Sequence, residues 1–299
     1  MEKSAYFIKT EIANEEKTLS FSFCGAAQTM PLHSFGPAVR DTYIVHIVLS
    51  GKGYYMVDNR KFQLKAYEGF CISPNESTFY QADETDPWTY IWLGFSGTQA
   101  KAILERIGIS ATNQAFSVTQ IAPFLKIITS CFKKNEINFS NELYLDSYTY
   151  AFLAELMTCG TMIEGTKYQY VKPFICESLD FLYQHFTEPI NVNTVAKAIA
   201  INQNYLSRIF HEQVGMTIKD YLMTLRINHA ADLLARSDLS IHDVAETSGF
   251  SDQQGFAKYF KQKKGCTPSD YRQVRHEISG EIEATTLFQE LLAEYSTTQ

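Results

Sequence analysis

A chain of 299 residues that is 45% hydrophobic, 20% charged and 14% aromatic can bury a sizeable core and is long enough for two domains. A net charge of −7 argues against nucleic-acid binding along the whole chain, and no run of about 18 apolar residues offers a membrane span. The opening MEKSAYFIKTEIANEEK has no apolar stretch of the signal-peptide kind, and six scattered cysteines without a C-x-x-C pair fit reduced thiols in a cytoplasm rather than a disulfide framework.

Residues from about Thr18 to Ser96 are predicted to form strands. YIVHIVLSGKGYYMVD is β-branched and aromatic, and it breaks at Gly51-Lys52-Gly53. That break reads as a hairpin turn; a phosphate loop needs a further glycine and a following helix. Short alternating runs then turn at Asp58-Asn59, Glu68-Gly69 and Pro74-Asn75, a spacing that suggests a barrel or sandwich. The run WTYIWLGF brings Trp88, Tyr90, Trp92 and Phe95 in quick succession, with Tyr90 and Trp92 expected on opposite faces. From Thr98 to Glu164 the period becomes helical. In NELYLDSYTYAFLAELMTCGTMIE, Leu143, Tyr144, Tyr148, Phe152, Leu156 and Met157 fall near a 3.6-residue repeat. GTKYQYVKP is the expected linker. The predicted domains are therefore 1–164 and 173–276, joined by 165–172 and followed by an acidic tail, 277–299.

Everything from Pro173 to Arg275 reads as helix. Asn193, Thr217 and Ser240 are candidate N-caps, and Gly215 and Gly265 candidate stops. Charge is uneven: residues 190–276 hold eleven Lys and Arg against eight Asp and Glu, so this segment is +3 and the remainder −10. The segment also repeats itself. Val195-Ala196 aligns with Val244-Ala245 at an offset of 49; then Phe210, Gly215, Thr217, Asp220 and Tyr221 align with Phe260, Gly265, Thr267, Asp270 and Tyr271 at 50. On a helical wheel Leu206, Ile209 and Phe210 share one side, as do Phe256, Tyr259 and Phe260. The opposite sides carry Gln203, Asn204, Ser207, Arg208 and His211 in one copy, and Gln253, Gln254, Ala257, Lys258 and Lys261 in the other. Both are read as polar or basic faces without an acid, suited to an anionic, hydrogen-bonding partner. Each unit is a short helix, a tight turn and a second amphipathic helix: a helix-turn-helix whose second member enters the major groove of double-stranded DNA. Gln253 and Gln254 suit adenine edges, and Arg208 or Lys258 guanine or phosphate. Gly255, on the border of the polar face, would permit close backbone approach. The long helix over IKDYLMTLRINHAADLLA would space the two units.

This module resembles the DNA-binding domain of the AraC/XylS family of transcription regulators, over roughly Phe174 to Arg275. IHDVAETSGFSDQQGFAKYFKQKKGCTPSDYR carries the likeness, with the terminal G-x-x-P-x-x-Y-R at Gly265, Pro268, Tyr271 and Arg272. The resemblance implies base- or phosphate-facing roles for Asn204, Ser207, Arg208, Gln253, Gln254, Ala257 and Lys258. Ser207 and Ala257 are small, and Lys258 stands where arginine is common, which removes the bidentate geometry. Tyr221 and Tyr271 are expected in the core.

Ser34 to Gly97 looks like the cupin-type sensor domain of one branch of that family. The implied fold is a two-domain chain: an N-terminal cupin-like β-barrel with following helices, then an all-α domain with two helix-turn-helix units. A barrel of this size holds one small ligand. Arg40, Tyr80, Tyr90 and Trp92 are the candidate pocket residues, with Trp88, His33 and His46 behind them; aromatic faces suit sugars. The likeness is to regulators of oligosaccharide operons of the raffinose or multiple-sugar-metabolism type, which implies a sugar effector, homodimers through the helix near Glu142 to Glu164, and activation through RNA polymerase. No cofactor is implied. Cupins also include metal enzymes, but the barrel region offers only His33 and His46, no H-x-H, and Thr78 where cupins often place histidine; Glu68 and Glu76 alone make a poor site. A third reading is an effector-independent DNA binder.

Overall fold

In a computed structural model the chain is described over residues 3–8, 17–134, 136, 138–163, 168–277, 289–291 and 293. These fall into two compact units, divided near Tyr170. The first runs through β1 Lys3–Ile8, β2 Ser20–Gln28, β3 Ser34–Ala38, β4 Tyr43–Ser50, β5 Lys52–Val57, β6 Arg60–Lys65, β7 Glu68–Ile72, β8 Thr78–Ala82 and β9 Thr89–Ser96. It continues with α1 Ala100–Ile107, β10 Ala115–Val118, α2 Ala122–Phe132, α3 Phe139–Cys159, β11 Gly160–Met162 and β12 Tyr168–Tyr170. Most of the arm before Lys17 and most of the tail after Glu277 lie outside the described residues, although Leu291 joins the core of the first unit.

The strands make two antiparallel sheets. One has seven strands in the order β1-β2-β9-β4-β7-β10-β11, the other five in the order β12-β6-β5-β8-β3. The barrel expected from sequence is thus a cupin-like sandwich, in which the two sheets are not joined into a closed cylinder among the described residues. The chain leaves the large sheet between β4 and β5 at Gly51, where φ is +69° and a Cβ would lie 2.5 Å from the Pro87 carbonyl oxygen. That crowding, with the left-handed backbone, restricts the position to glycine.

Strand β4 explains why the sequence shows an apolar run rather than a clean alternation. Its two faces enter two different cores. Ile44 and Val48 lie between the sheets with Tyr55, Phe62, Phe70 and Tyr90. Val45, Ile47 and Leu49 lie on the other side, with Phe124 and Ile128 of α2 and Phe152 and Leu156 of α3. A strand buried on both faces loses its polar half.

The second unit holds α4 Pro173–His185, α5 Val192–Ala198, α6 Gln203–Val214, α7 Ile218–Arg236, α8 Ile241–Thr247, α9 Gln253–Lys264 and α10 Pro268–Glu277. Proline at the first position of α4 fits a helix start, where no amide donor is needed. Ile227, Ala230 and Leu234 of α7 pack against Val244 of α8 and Phe256 and Phe260 of α9. Tyr221 is fully buried beside Phe210, and Tyr271 stands edge-on to Phe260 at 5.4 Å, so both serve packing as expected.

Candidate DNA-reading helices and effector pocket

The repeat seen in sequence is a repeat in structure. In the first copy Asn191 caps α5 through a capping box with Thr194; Asn193, favoured from sequence, lies inside the helix. The correction follows from spacing, since Thr194 stands three residues after Asn191 and its hydroxyl reaches back to the Asn191 amide. The turn passes through Ala200 at φ +55°, and Asn202 then caps α6 by accepting from the amides of Asn204 and Tyr205 at 3.0 and 3.2 Å. In the second copy Ser240 caps α8, the turn passes through Gly249 at φ +85°, and Asp252 caps α9. Ala200 and Gly249 are equivalent left-handed positions at offset 49. The second turn has one more residue before its cap, which is where the offset becomes 50. Both second helices stop at left-handed glycines, Gly215 and Gly265.

Helix α6 buries Leu206, Ile209, Phe210 and Val214, and α9 buries Phe256 and Phe260. Gln203, Asn204, Arg208, His211, Gln253, Gln254, Lys258 and Lys261 are exposed, while Ser207 and Ala257 are half-buried. The Ser207 hydroxyl donates back to the Gln203 carbonyl at 2.8 Å, so its hydrogen is already committed. Gly255 has a local explanation. Its amide donates to Asp252 Oδ1 at 2.6 Å, and a Cβ would lie 2.9 Å from the other oxygen of that cap. Close approach to DNA is not required to account for the glycine. The expectation of acid-free faces is corrected in the first copy: Glu212, one turn after Arg208, places Oε2 3.7 Å from its Nη1.

Helix α7 carries both units. Arg226, buried on it, donates from Nε to the Phe186 carbonyl at 2.6 Å and from Nη2 to the Glu188 carbonyl at 2.7 Å. Lys264 at the end of α9 donates to Asn228 Oδ1 at 3.0 Å.

In the first unit most of the predicted pocket residues converge. His46 on β4 registers with Trp92 on β9 and Phe70 on β7. Its ring lies 4.5 Å from Phe70, 5.2 Å from Tyr80, 5.5 Å from Tyr90 and 6.3 Å from Trp92. Tyr90 and Trp92 share a face, with ring centroids 5.5 Å apart, and the expectation of opposite faces is wrong. Side chains two apart on a strand point the same way. Trp88 closes the cluster 5.8 Å from Tyr90. Arg40 sits 4.4 Å over Phe35, whose ring stacks on Tyr80 at 5.7 Å. His33 lies in the turn before β3, its carbonyl accepting from the Ala82 amide at 2.8 Å. Two buried polar atoms in this cluster, His46 Nδ1 and Trp88 Nε1, have no hydrogen-bond partner among the described residues. Burial first, and the Arg40 charge second, hold the His46 pKa well below the usual imidazole range. A neutral ring keeps one donor and one acceptor. Among the described residues no group of three His, Cys, Asp or Glu is placed to hold a metal ion.

Helix α3 is apolar on two sides. Leu145, Phe152, Leu153 and Leu156 are buried, while Phe139, Leu143, Tyr144, Tyr150 and Met157 stay exposed, Phe139 at 72% and Met157 at 59%. The single stripe predicted from sequence is therefore split, with Leu143, Tyr144 and Met157 outside and Phe152 and Leu156 inside. Among the described residues no helix is long and apolar enough to cross a membrane.

Residues 20–153 match the AraC-like ligand binding domain, and residues 195–274 match a helix-turn-helix domain. The Msm operon regulatory protein of Streptococcus mutans serotype c is 31% identical over 257 residues, which span 85% of this chain and 92% of that one. The chain belongs to the AraC family of transcription regulators. Other AraC-family relatives align along most of their length too. The lactose operon transcription activator of Staphylococcus xylosus is 26% identical, covering 83% of this chain and 90% of its own. The raffinose operon transcriptional regulatory protein RafR of Pediococcus pentosaceus is 26% identical, covering 87% and 96%. As an AraC-family member the chain is a DNA-binding regulator with a ligand-binding domain, and is not an enzyme.

Proposed function

We propose that this protein is a cytoplasmic, homodimeric activator of a carbohydrate-utilisation operon, in which a sugar or oligosaccharide bound between the sheets of domain 1–164 changes how domain 173–276 engages its operator and RNA polymerase. The observation that carries the sugar reading is the aromatic cluster with two unpartnered buried polar atoms, His46 Nδ1 and Trp88 Nε1. A buried polar atom without a partner costs about 1–3 kcal/mol, and a ligand hydroxyl would offset that cost. Aromatic faces at Tyr80, Tyr90 and Trp92 suit the C–H face of a sugar ring, and Arg40 offers donors beside them. The names of two relatives, the regulators of a lactose and a raffinose operon, support the same class.

On the DNA side, the exposed residues of α6 and α9 are assigned to base edges and phosphates: Gln203, Asn204, Arg208 and His211 in one, Gln253, Gln254, Lys258 and Lys261 in the other. Ser207 and Ala257 are small contacts beside them. The outward apolar face of α3 is assigned to the homodimer. A ligand shifts such a system by its differential affinity for the two DNA-binding states. The test is a thermal-shift screen of the full chain with mono- and oligosaccharides, followed by footprinting with any hit. Trp92→Ala should abolish the ligand-dependent shift and leave DNA affinity largely intact. A sugar response that survives Trp92→Ala removes this cluster from the pocket.

A further inference from the structure

The two second helices are not equivalent. Arg208, on the pole of α6 opposite its buried side chains, is held from both neighbouring turns. Three residues before it, the Tyr205 ring centroid lies 5.4 Å from the guanidinium carbon, within cation–π range. Four residues after it, Glu212 Oε2 lies 3.7 Å from Nη1. Tyr205 is itself fixed, since its hydroxyl accepts from Lys172 Nζ at 2.7 Å and its ring lies 5.7 Å from Phe174. At offset 50 the same three positions in α9 are Gly255, Lys258 and Gln262. There the ring is absent, the acid is a neutral amide, and Lys258 makes no hydrogen bond, ion pair or ring contact among the described residues. Lys261 and Lys263 add positive charge to the second helix, whereas Glu212 subtracts it from the first.

These differences have opposite chemical consequences. A guanidinium held in one orientation suits the paired acceptors O6 and N7 of guanine. A free ammonium on a flexible stem suits a phosphate, which asks for charge and little direction. A carboxylate on a groove-facing helix repels phosphate, so it weakens attraction to every sequence alike while it orients Arg208.

We infer that Tyr205 and Glu212 are positioning residues that hold Arg208 for a guanine, so that this position discriminates bases in the first helix-turn-helix, whereas the equivalent Lys258, with Lys261, supplies salt-dependent anchoring beside the base-reading glutamines of the second. This rests on the reading that α6 enters the major groove. The carboxylate does not touch DNA in this arrangement; it acts through Arg208. Exposed ion pairs are individually weak, so the expected effect of Glu212 is modest and specific in direction.

The experiment uses the full chain and a duplex selected by the wild-type protein from a random-sequence library. Affinity is measured on that duplex, on every single base-pair substitution of it, and on a scrambled duplex. Arg208→Ala should lose about tenfold discrimination at one G·C pair. Glu212→Gln should lose about threefold at the same pair while binding the scrambled duplex at least as tightly as wild type. Tyr205→Ala should act at that pair too, and Tyr205→Phe, which keeps the ring, should retain most of the discrimination. In an Arg208→Ala background Glu212→Gln should change discrimination no further. Lys258→Gln with Lys261→Gln should weaken all duplexes alike and flatten the salt dependence. If Glu212→Gln tightens every duplex equally and leaves discrimination intact, Glu212 is only a repulsive surface charge and the inference fails. If Arg208→Ala leaves the whole profile unchanged, the groove assignment of α6 fails first and the inference falls with it. Melting temperatures equal to wild type separate both outcomes from misfolding.

Discussion

Backbone conformation at two equivalent turn residues gives a direct test of the repeat. Ala200 and Gly249 both sit in the left-handed region, at φ +55° and +85°. A side chain there costs about 1–2 kcal/mol, and a Cβ on Gly249 would also lie 2.8 Å from the Phe186 carbonyl oxygen. Gly249→Ala should therefore destabilise the full chain by at least about 1–2 kcal/mol, whereas Ala200→Gly should be neutral or stabilise by about 0.5 kcal/mol, because glycine gains flexibility in the unfolded chain as well. Denaturant melts of the two variants check the opposite signs. His46 gives a second residue-scale prediction. Its folded pKa is lowered by burial and by Arg40. Above about pH 6.5, the ordinary imidazole value, neither folded nor unfolded chain holds this proton and the group has no effect on stability. As pH falls below that value the unfolded chain takes up a proton that the folded chain refuses, so stability declines. His46→Gln should flatten melting temperature against pH between about 6.5 and 5, with the half-buried His229, also lowered by burial, leaving a residual slope. At this scale the sequence is only partly legible. It names Tyr80, Trp88, Tyr90 and Trp92 of the aromatic cluster but not Phe70, and it does not show that His46 becomes their hub, because that depends on β4 lying between β7 and β9. Gly255 is legible as an anomaly, yet its cause is the cap at Asp252, a contact three residues away.

Elements with strong local signals are placed as the sequence predicts. Thr217 and Ser240 cap their helices, Gly215 and Gly265 end theirs, and the inserted residue falls in the second turn. These features depend on nearest neighbours, which a sequence displays. Helix α3 defeats a periodicity reading because its inner and outer faces are both apolar; a 3.6-residue repeat cannot separate two overlapping stripes. Strand spacing leaves barrel and sandwich open, because it does not say where sheet edges meet; the chain forms a large and a small sheet. Helix α7 reads as a rigid spacer, and the residue that fixes it, Arg226, gives no signal at all: a lone arginine in a helix looks solvated. Its guanidinium instead satisfies two carbonyls in the loop after α4. Arg226→Met, which keeps an apolar stem and removes both donors, should destabilise the chain by about 2 kcal/mol or more. A melt indistinguishable from wild type would show that α7 is held by packing alone.

For the whole molecule, charge and exposed apolar surface indicate what each half meets. The acidic remainder of the chain flanks in sequence a segment of net charge +3, so a total charge that opposes DNA conceals a module that favours it. The exposed face of α3, with Leu143, Tyr150 and Met157 in the open, is apolar surface of the first unit that an isolated protomer leaves unexplained. With the dimer proposed through this face, Tyr150→Glu combined with Met157→Glu should give a monomer in sedimentation velocity where wild type sediments as a dimer, and leave the melting temperature nearly unchanged; a wild-type monomer overturns the proposed dimer, and a variant dimer moves the interface elsewhere. The central claim is that one chain reads DNA with two copies of a single unit. A base-substitution profile of the wild-type protein on a library-selected duplex tests it most directly. Each protomer should protect two clusters of sensitive base pairs about one helical turn, roughly 34 Å, apart, and Gln254→Ala should flatten one cluster by about 1–3 kcal/mol at a single pair and spare the other. One cluster per protomer, or a Gln254→Ala profile identical to wild type at every position, would contradict it.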